Sequence, residues 1–310
     1  MKVLRGNPAE WDSGAGHGVF AVGVFDGVHL GHRYVLSVLR DRAAETGLVA
    51  GVLTFEPHPL RIVAPDHAPA MLTGIDHRLE LLAALGVEVT AVLEFDEKVR
   101  EWTPARFLAE TLAGPLAADL VVVGEDFRFG KDRIGDVALL GELGSQLGLT
   151  PEVVSLVGDD TPVSSTRIRE MIIAGDVSGA AVSLARPHEL WGEVVAGDGR
   201  GRTIGIPTAN VAVPPEMAIP QLGVYAVTVG RHADEALPAV ANVGVRPTFG
   251  GEVETIEAHV LDFDGDLYGQ HLRMRFIDRI RGEQKFESAE ALLTQIGRDI
   301  EQARQLLTPT

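Results

Sequence analysis

The spacing of apolar residues changes between Gly175 and His188, and that change restricts the possible folds more than any other feature. In the first part of the chain, short apolar runs typical of buried strands alternate with runs in which apolar residues recur at helical spacing. The strand-like runs are Val19–Phe25, Val49–Phe55, Val89–Leu93, Leu120–Val123 and Glu152–Leu156, and the helix-like runs are Gly31–Glu45, Asp76–Leu85 and Ala105–Leu112. This alternation predicts a parallel sheet covered by helices, with right-handed crossovers.

The helical pattern ends between Gly175 and His188, and a different pattern follows. From Leu190 to Asp278 the chain consists of short β-rich runs with many glycines and prolines and without a long helical pattern. Short strands with turn signals predict an antiparallel sandwich or barrel. Helical spacing returns over Ser288–Leu307. A chain of 310 residues is long enough for two domains, which we predict at residues 1–185 and 186–310.

One connection in the first part is unusually long. Residues Glu56–Gly74 read EPHPLRIVAPDHAPAMLTG, contain four prolines and show little periodicity. Long connections in compact domains are commonly functional or mobile. The sequence supports two interpretations equally: a flap over a ligand site and a plain surface excursion.

Composition excludes several classes of site. The chain has no cysteine, which excludes disulfides, iron–sulfur clusters, thiolate zinc sites and a cysteine nucleophile. Its net charge of −17 argues against a nucleic acid bound on a broad basic face, although a nucleotide needs only a local positive site. No apolar run is long enough to span a membrane, and the N-terminus lacks a signal pattern. We therefore expect a cytoplasmic protein without a membrane or nucleic-acid partner.

The turn GVFDGVHLGH, residues 23–32, carries two histidines where a predicted strand gives way to a predicted helix. His29 and His32 have three interpretations: metal ligands, core residues or phosphate-binding groups. A third well-spaced metal ligand is not evident, and glycine-rich turns are rarely deep in a core. The phosphate interpretation uses all of the features present, because Gly27 and Gly31 permit close approach and the helix N-terminus attracts anions. The sequence therefore favours a phosphate site.

A second helix start follows the fifth predicted strand. The segment VSSTRIRE, residues 163–170, offers hydroxyl groups that can cap a helix and two arginines that add positive charge. Taken alone this is an ordinary helix cap. Together with the histidine turn, it gives two anion-binding helix starts on one sheet. The chain has no P-loop motif, so ATP is not held in that way.

These two segments resemble the signature pair of the HxGH nucleotidyltransferases. The segments FEPHP (55–59) and VVGEDFRFG (122–130) narrow the resemblance to the bacterial bifunctional riboflavin kinase/FAD synthetase family. The second half resembles the riboflavin kinase module of that family in the segments GRGRTIGIPTAN (199–210), ANVGVRPTFG (241–250), IEAHVLDFDGDLYG (256–269) and KFES (285–288). The resemblance implies a Rossmann-like nucleotidyltransferase domain with a parallel sheet, followed by an antiparallel β-barrel kinase domain with a C-terminal helix.

The resemblance also implies two reactions. The C-terminal domain would phosphorylate riboflavin with ATP to give FMN, and the N-terminal domain would transfer AMP from ATP to FMN, giving FAD and pyrophosphate. His29 and His32 would stabilise the transition state at the α-phosphorus. The leaving pyrophosphate would be held by Ser164, Ser165, Thr166 and the catalytic Arg167. Further nucleotide contacts are expected from Gly23, Phe25, Asp26, Gly31 and Arg169, and flavin contacts from Phe55, Pro57, His58, Asp126 and Phe127.

In the kinase domain, the resemblance implies that Thr208 and Asn210 organise Mg²⁺ and the ATP phosphates, with Gly201 and Arg202 as further nucleotide contacts. Glu257 would be the general base on the ribityl hydroxyl. The strand TIEAHVLDF places Glu257 on its polar face. From the pattern alone that face is more simply explained as facing solvent, and the resemblance instead implies a substrate cleft.

Two residues depart from the family pattern. Ala185 stands where we expect a glycine in the junction, and Asp132 sits where glycine is common. Both lie outside the implied catalytic groups, so they affect linker geometry and loop shape. Two rival functions stay open: an enzyme with only one active site intact, and a non-catalytic flavin-sensing protein. A sensor of that kind usually carries a DNA-binding element, and no basic helix-turn-helix is visible.

Overall fold

The computed structural model describes residues 1–11, 17–155, 163–197, 201, 205–248 and 251–308. The chain forms two compact units. The first unit comprises Met1–Pro69 and Gly74–Ser164, and the second comprises Ala70–Thr73 and Ser165–Thr310. The domain boundary at 185/186 stays a prediction, because compactness alone does not show which segments fold independently.

The first unit contains a six-stranded parallel sheet in the order β1-β4-β3-β2-β5-β6. Its strands are β1 (Lys2–Gly6), β2 (Gly18–Val22), β3 (Val49–Glu56), β4 (Val89–Glu94), β5 (Ala118–Gly124) and β6 (Thr150–Val154). Its helices are α1 (Leu30–Thr46), α2 (Pro59–Val63), α3 (Ile75–Ala84), α4 (Glu97–Arg100), α5 (Pro104–Leu108) and α6 (Val137–Leu147). The predicted parallel α/β sheet is confirmed.

Strand β2 shows why the central strands read as continuous apolar runs. All five of its residues are buried. Val19 and Ala21 belong to the core on one face of the sheet, whereas Phe20 and Val22 belong to the core on the other. A parallel sheet covered on both faces has no solvent side, so its central strands lose the alternation of polar residues that marks a half-exposed strand.

The structure adds elements that the sequence pattern did not indicate. Strand β1 lies at the sheet edge, where only Leu4 is buried and Val3 is exposed, so its apolar signal is weak. The long connection after β3 contains α2 and a short 3₁₀ turn at Pro65–His67. Its end is anchored in the second unit, where the Met71 N–H donates to the Glu216 carbonyl (2.7 Å) and the Met71 carbonyl accepts from the Ala218 N–H (2.8 Å).

The second unit contains a closed antiparallel barrel in the order β10-β11-β8-β7-β12-β9. Its strands are β7 (His188–Val195), β8 (Ala209–Ala212), β9 (Gly223–Gly230), β10 (Leu237–Thr248), β11 (Gly251–Val260) and β12 (His271–Arg281). Ile256, Ala258 and Val260 of β11 point into the barrel core, as the alternation predicts. The predicted antiparallel barrel is confirmed.

Among the described residues of this unit, three named helices accompany the barrel: α7 (Ser165–Ile173), α8 (Val177–Leu184) and α9 (Ala289–Leu307). The predicted C-terminal helix is confirmed as α9, whose N-terminus is capped by the Ser288 hydroxyl accepting from the Ala291 N–H at 3.1 Å. Helix α8 ends at Ala185, which has a left-handed φ of 53°. Asp132 is also left-handed, at φ 55°. Both departures from the family pattern therefore fall at positions whose backbone conformation favours glycine.

Candidate active sites

The order of strands in the first unit gathers several predicted site residues at the carboxyl ends of the central strands. The chain leaves β2 toward β3 and β4 on one side and later returns to β5 and β6 on the other. Ligands of open α/β sheets bind at the carboxyl ends of strands where the order reverses in this way. The turn from Gly23 to His29 follows β2, Pro57 and His58 follow β3, and Asp126 and Phe127 follow β5. The topology thus places these three segments together at the carboxyl ends of the strands.

The histidine turn has an unusual backbone. Phe25 and Val28 have positive φ angles of 53° and 42°, and Gly27 has φ 83°. Positive φ is uncommon for residues other than glycine, and for a β-branched residue such as Val28 it is an outlier. Strained conformations of this kind concentrate at functional sites, where the surrounding structure holds them in place.

The imidazoles of His29 and His32 face one another. Their ring centroids are 3.7 Å apart with an interplanar angle of 18°. His29 precedes α1 and caps it, because its Nδ1 accepts a hydrogen bond from the backbone N–H of His32 at 3.4 Å. That bond leaves the proton of a neutral His29 on Nε2. The sequence did not indicate this capping role, since histidine is not among the common N-cap residues.

Gly31 makes this arrangement possible. A Cβ atom at Gly31 would lie 3.2 Å from the His29 ring and 3.5 Å from the carbonyl oxygen of Val163. Any larger residue would press on the ring that caps α1. The glycine between the two histidines therefore serves ring placement, and the adjacent helix N-terminus supplies free N–H groups for an anion.

His32 carries a polar atom that nothing in the described part of the chain satisfies. Its Nδ1 is buried and has no hydrogen-bond partner there. Burial, followed by the neighbouring His29 and Arg78, lowers the pKa of His32 well below its ordinary value of 6.5. His32 is therefore neutral at pH 7, and a neutral imidazole offers one N–H donor to a ligand.

Two charged residues are buried at the turn, one within it and one on α3. Asp26 is 2% exposed and Arg78, in the first turn of α3, is 1% exposed. Burial lowers the pKa of Arg78 below its ordinary value, and the carboxylates of Asp26 and Glu56 oppose part of that shift. Asp26 is thus buried within the turn, and its predicted nucleotide contact stays a prediction. Arg78 was missed, because an isolated arginine in a helix gives no local sign of burial.

The aromatic residues predicted to bind flavin pack mainly against one another. Phe55 is 9% exposed and its ring lies 6.1 Å from Phe95 and 6.3 Å from Phe107. Phe127 is half-buried and stacks on Phe129 at 5.3 Å. Each therefore offers a substrate only part of its ring.

The other predicted flavin contacts differ in exposure. The His58 Nδ1 accepts from the Leu60 N–H at 3.1 Å and so caps the short helix α2. Pro57 is half-buried beside it, whereas Asp126 is exposed after β5. Of this group, Asp126 is the side chain most open to a ligand.

The predicted pyrophosphate residues lie around the start of α7. Ser164 is the residue before the helix and Ser165 is its first residue, so the predicted cap falls at the helix terminus. Thr166 and Arg167 are exposed, and Arg169 is half-buried. Their role in holding pyrophosphate stays a prediction.

In the second unit, Glu257 faces a cavity. The cavity has a volume of about 690 Å³, within the range of small-molecule sites. Glu257 and His259 line it from β11, together with Asn242 from β10. Glu257 and His259 on the polar face of β11 thus line a cleft, as the resemblance implies. Asn242 lies opposite Glu257 in the strand pairing and was not predicted.

Thr208 lies between two cavities. It lines the 690 Å³ cavity and a second cavity of about 340 Å³. The Thr208 hydroxyl donates to the Glu257 carboxylate at 3.4 Å. Asn210 pairs with Glu257 across β8 and β11, and residues directly opposite on antiparallel strands share one face. The backbone of Gly201 lies close to Thr208, since a Cβ atom added at Gly201 would be 3.2 Å from the Thr208 hydroxyl. Arg202 lies outside the described residues.

The C-terminal helix forms an apolar wall of the larger cavity. The helix contributes Leu292, Ile296 and Ile300 to this wall, and Phe286, just before the helix, adds its ring. Helix α9 is fixed there by Asp299, which is 2% exposed and accepts from Arg281 of β12 at 3.0 Å and 2.8 Å. Gln295 donates to the same carboxylate at 2.8 Å. This cluster was missed, since its members are close only after folding.

Comparisons with known proteins match a family to each half of the chain. A model of the FAD synthetase family matches residues 13–167, and a model of the riboflavin kinase family matches residues 184–307. The bifunctional riboflavin kinase/FMN adenylyltransferase of Escherichia coli K12 is 38% identical over 306 residues, covering 98% of this chain and 97% of the relative. That of Bacillus subtilis 168 is 37% identical over 290 residues, covering 92% and 91%.

A solved structure is also similar over nearly the whole chain. It is described as a macrolide-efflux protein from Streptococcus pneumoniae, with a TM-score of 0.88, 32% identity and coverage of 98% of this chain and 99% of that one. Among the residues described here, none of the helices has the length and apolar character needed to cross a membrane. The matches to two family models and to relatives of nearly equal length account for both halves of the sequence. This chain belongs to the family of bifunctional riboflavin kinase/FMN adenylyltransferases.

Proposed function

We propose that the first unit adenylylates FMN at the histidine turn and that the second unit phosphorylates riboflavin at Thr208 and Glu257. Riboflavin and ATP would give FMN and ADP, and FMN with a second ATP would give FAD and pyrophosphate. The observation that carries the kinase assignment is the position of Thr208 between two cavities, with Glu257 in contact with it. The stacked histidine pair carries the adenylyltransferase assignment.

Adenylyl transfer requires charge stabilisation at phosphorus more than covalent chemistry by the protein. The Nε2–H of His29 and the remaining N–H of His32 are donors that can bind the oxygens of the α-phosphate as their charge grows. The N-terminus of α1 favours the same anion. Arg167, with Ser164, Ser165 and Thr166, would hold the leaving pyrophosphate, an assignment that rests on the family resemblance.

Phosphoryl transfer in the barrel needs an acceptor hydroxyl beside a base. The larger cavity has the apolar wall that a flavin ring requires, and Glu257 lines the same cavity. The smaller cavity then holds ATP, with its phosphates directed toward Thr208. Glu257 accepts the proton of the ribityl hydroxyl as that oxygen attacks the γ-phosphorus. ADP is the leaving group.

The residues around Thr208 suit Mg²⁺. The hydroxyl of Thr208 and the amide of Asn210 supply the oxygen ligands that a hard cation prefers. The described residues contain no group of three or more histidine or carboxylate side chains placed to hold a metal by themselves. Such a site suits an ion that arrives with the nucleotide, and bound Mg²⁺ would neutralise charge on the phosphates. Thr208 and Asn210 would hold it.

Product analysis tests the pair of activities. The full chain is incubated with riboflavin, ATP and Mg²⁺, and the flavins are separated. Successive appearance of FMN and FAD is the expected result. FMN alone, or FAD only from supplied FMN, would mean that a single site is active. Binding of flavin without any turnover would instead favour the non-catalytic sensor. A cytoplasmic location also stays a prediction.

Replacement of Glu257 by glutamine tests the base. Glu257→Gln preserves the shape and removes the basicity, so FMN formation should fall about 10²–10⁴-fold. FAD formation from supplied FMN should persist, because the first unit is unchanged. Glu193→Gln is the matched control, since Glu193 is an exposed carboxylate on β7. Near-normal kinase turnover in Glu257→Gln would exclude this base.

A further inference from the structure

Arg78 is a buried cation to which the proposed reactions assign no role. It lies in the first turn of α3, and its side chain is 1% exposed. Burial of a guanidinium is unfavourable unless the charge is well paired, and a cation in the first turn of a helix opposes the helix dipole. Violations of such rules are expected at functional sites more than in ordinary cores.

The guanidinium holds the end of β3. Its Nη1 donates to the backbone carbonyl of Phe55 at 3.2 Å and contacts the Thr54 hydroxyl at 3.4 Å. Its Nη2 is 3.8 Å from the carboxylate of Glu56, which is 43% exposed. The carboxylate contact is long and its partner is partly solvated, so ion pairing with Glu56 alone does not account for the buried charge.

The contact continues from β3 into the histidine turn. Thr54 is fully buried, and its hydroxyl donates to the carbonyl of Val24 at 3.0 Å. Val24 belongs to the segment that leads from β2 to the two histidines. A continuous path of hydrogen bonds therefore runs from Arg78 through Thr54 to the start of the turn.

Arg78 also acts on the charges of the turn. Asp26, buried in the turn, favours the charged form of Arg78. The charge of Arg78 in turn adds to burial and to His29 in lowering the pKa of His32. Within the first unit, His29 and Arg78 are the titratable groups that act on His32, and the Phe25 ring packs edge-on against it at 5.2 Å.

We propose that Arg78 is a positioning residue for adenylyl transfer, which holds the end of β3 against the histidine turn and places a fixed positive charge beside His32. Its burial prevents contact with substrate, so it acts through Thr54, Asp26 and His32. The inference rests on the proposed site of adenylyl transfer. Arginine suits this role because its planar fork can hold several acceptors while its charge stays fixed.

The test uses the full chain with five variants, one of which is His32→Ala as a check on the site itself. Arg78→Met removes the charge and keeps the volume, Arg78→Lys keeps the charge and removes the fork, and Thr54→Val breaks the path to Val24. Arg42→Met is the matched control, because Arg42 is an exposed arginine in ion pairs on α1. Conversion of FMN to FAD is measured as kcat and KM from pH 5.5 to 8.5, with riboflavin kinase turnover as the internal control.

Arg78→Met should lower kcat for FAD formation about 10–100-fold, the order expected when reacting groups are misplaced by about 1 Å. The acid limb of its pH profile should move to higher pH, because His32 loses a neighbouring positive charge. Arg78→Lys should lower kcat while keeping the acid limb in place, and Thr54→Val should do the same. Kinase turnover and Arg42→Met should match the unmodified chain.

Near-normal kcat and an unchanged pH profile in Arg78→Met would overturn the inference, provided that His32→Ala still abolishes FAD formation. If His32→Ala itself retains activity, the proposed site of adenylyl transfer fails instead. If Arg78→Met does not fold, Arg78→Lys decides the matter. A lowered kcat with the acid limb in place supports the role, and unmodified kinetics overturn it.

Discussion

The Nδ1 of His29 accepts the backbone N–H of His32 at 3.4 Å, while the two imidazole rings stack at 3.7 Å. One side chain therefore both caps helix α1 and forms half of the proposed phosphate site. The relationship means that a change at His29 affects stability and chemistry together, whereas a suitable replacement can separate the two effects.

Substitutions at His29 should separate capping from catalysis. His29→Ala removes the cap and should cost about 1 kcal/mol of stability, whereas His29→Asn restores a favourable N-cap residue. Both variants should reduce FAD formation roughly 10²–10³-fold, the usual effect of removing one donor to a developing charge. Thermal melting and flavin product analysis check the two effects. Retention of FAD formation in His29→Asn would show that His29 serves the helix alone.

The stability of the first unit should fall as pH falls below about 6.5. The pKa of His32 is lowered in the folded state. Below pH 6.5 the unfolded chain therefore binds a proton at His32 that the folded chain does not bind. The loss begins near the ordinary value of 6.5 and continues down to the lowered pKa. His32→Gln should reduce this slope, and the exposed His67→Gln should not.

Tryptophan fluorescence can restrict the pH measurement to the first unit. Trp11 and Trp102 lie in that unit and are mostly buried, while Trp191 lies on β7 of the barrel. In a Trp191→Phe background, denaturant unfolding followed by fluorescence therefore reports on the first unit. Equal slopes with and without His32 would contradict the prediction.

The buried pair Arg281–Asp299 should be needed for riboflavin binding. Asp299→Ala leaves a mostly buried guanidinium without its carboxylate and should cost about 3 kcal/mol. Because α9 forms a wall of the larger cavity, the KM for riboflavin should rise. Asp262→Asn is the control, because it weakens the exposed ion pair between Asp262 and Arg304 of α9. Exposed ion pairs contribute little to stability. An unchanged KM in a folded Asp299→Ala protein would exclude this role.

Ala185→Gly should stabilise the second unit. Ala185 ends α8 with φ 53°, a conformation that costs an L-residue roughly 1–2 kcal/mol. Glycine relieves this strain, but its greater conformational freedom in the unfolded chain offsets part of the stabilisation. The net gain in stability is about 0.5–1 kcal/mol. Ala181→Gly, within the same helix, should instead destabilise by about 1 kcal/mol. A lower melting temperature for Ala185→Gly would contradict the argument.

The sequence was sufficient for features that depend on local spacing. Periodicity alone indicated the parallel sheet, α9 and an antiparallel sandwich or barrel, because strands and helices bury residues at fixed intervals. The choice of the barrel came from the family resemblance. Periodicity missed β1, since an edge strand with one buried residue has almost no apolar pattern. The histidine turn could likewise be selected as a candidate site from contiguous residues, whereas Glu257 was selected only through the family resemblance.

Tertiary structure decided how those candidates are built. His29 caps α1, Asp26 is buried, and Glu257 faces a cavity that α9 also lines. Arg78 contacts β3 across more than twenty residues of sequence, and Arg281 reaches Asp299 across 18. Local patterns report which face of an element is apolar, while pairings between distant polar groups depend on where topology places them. The charges that support both sites therefore became visible only in the folded chain.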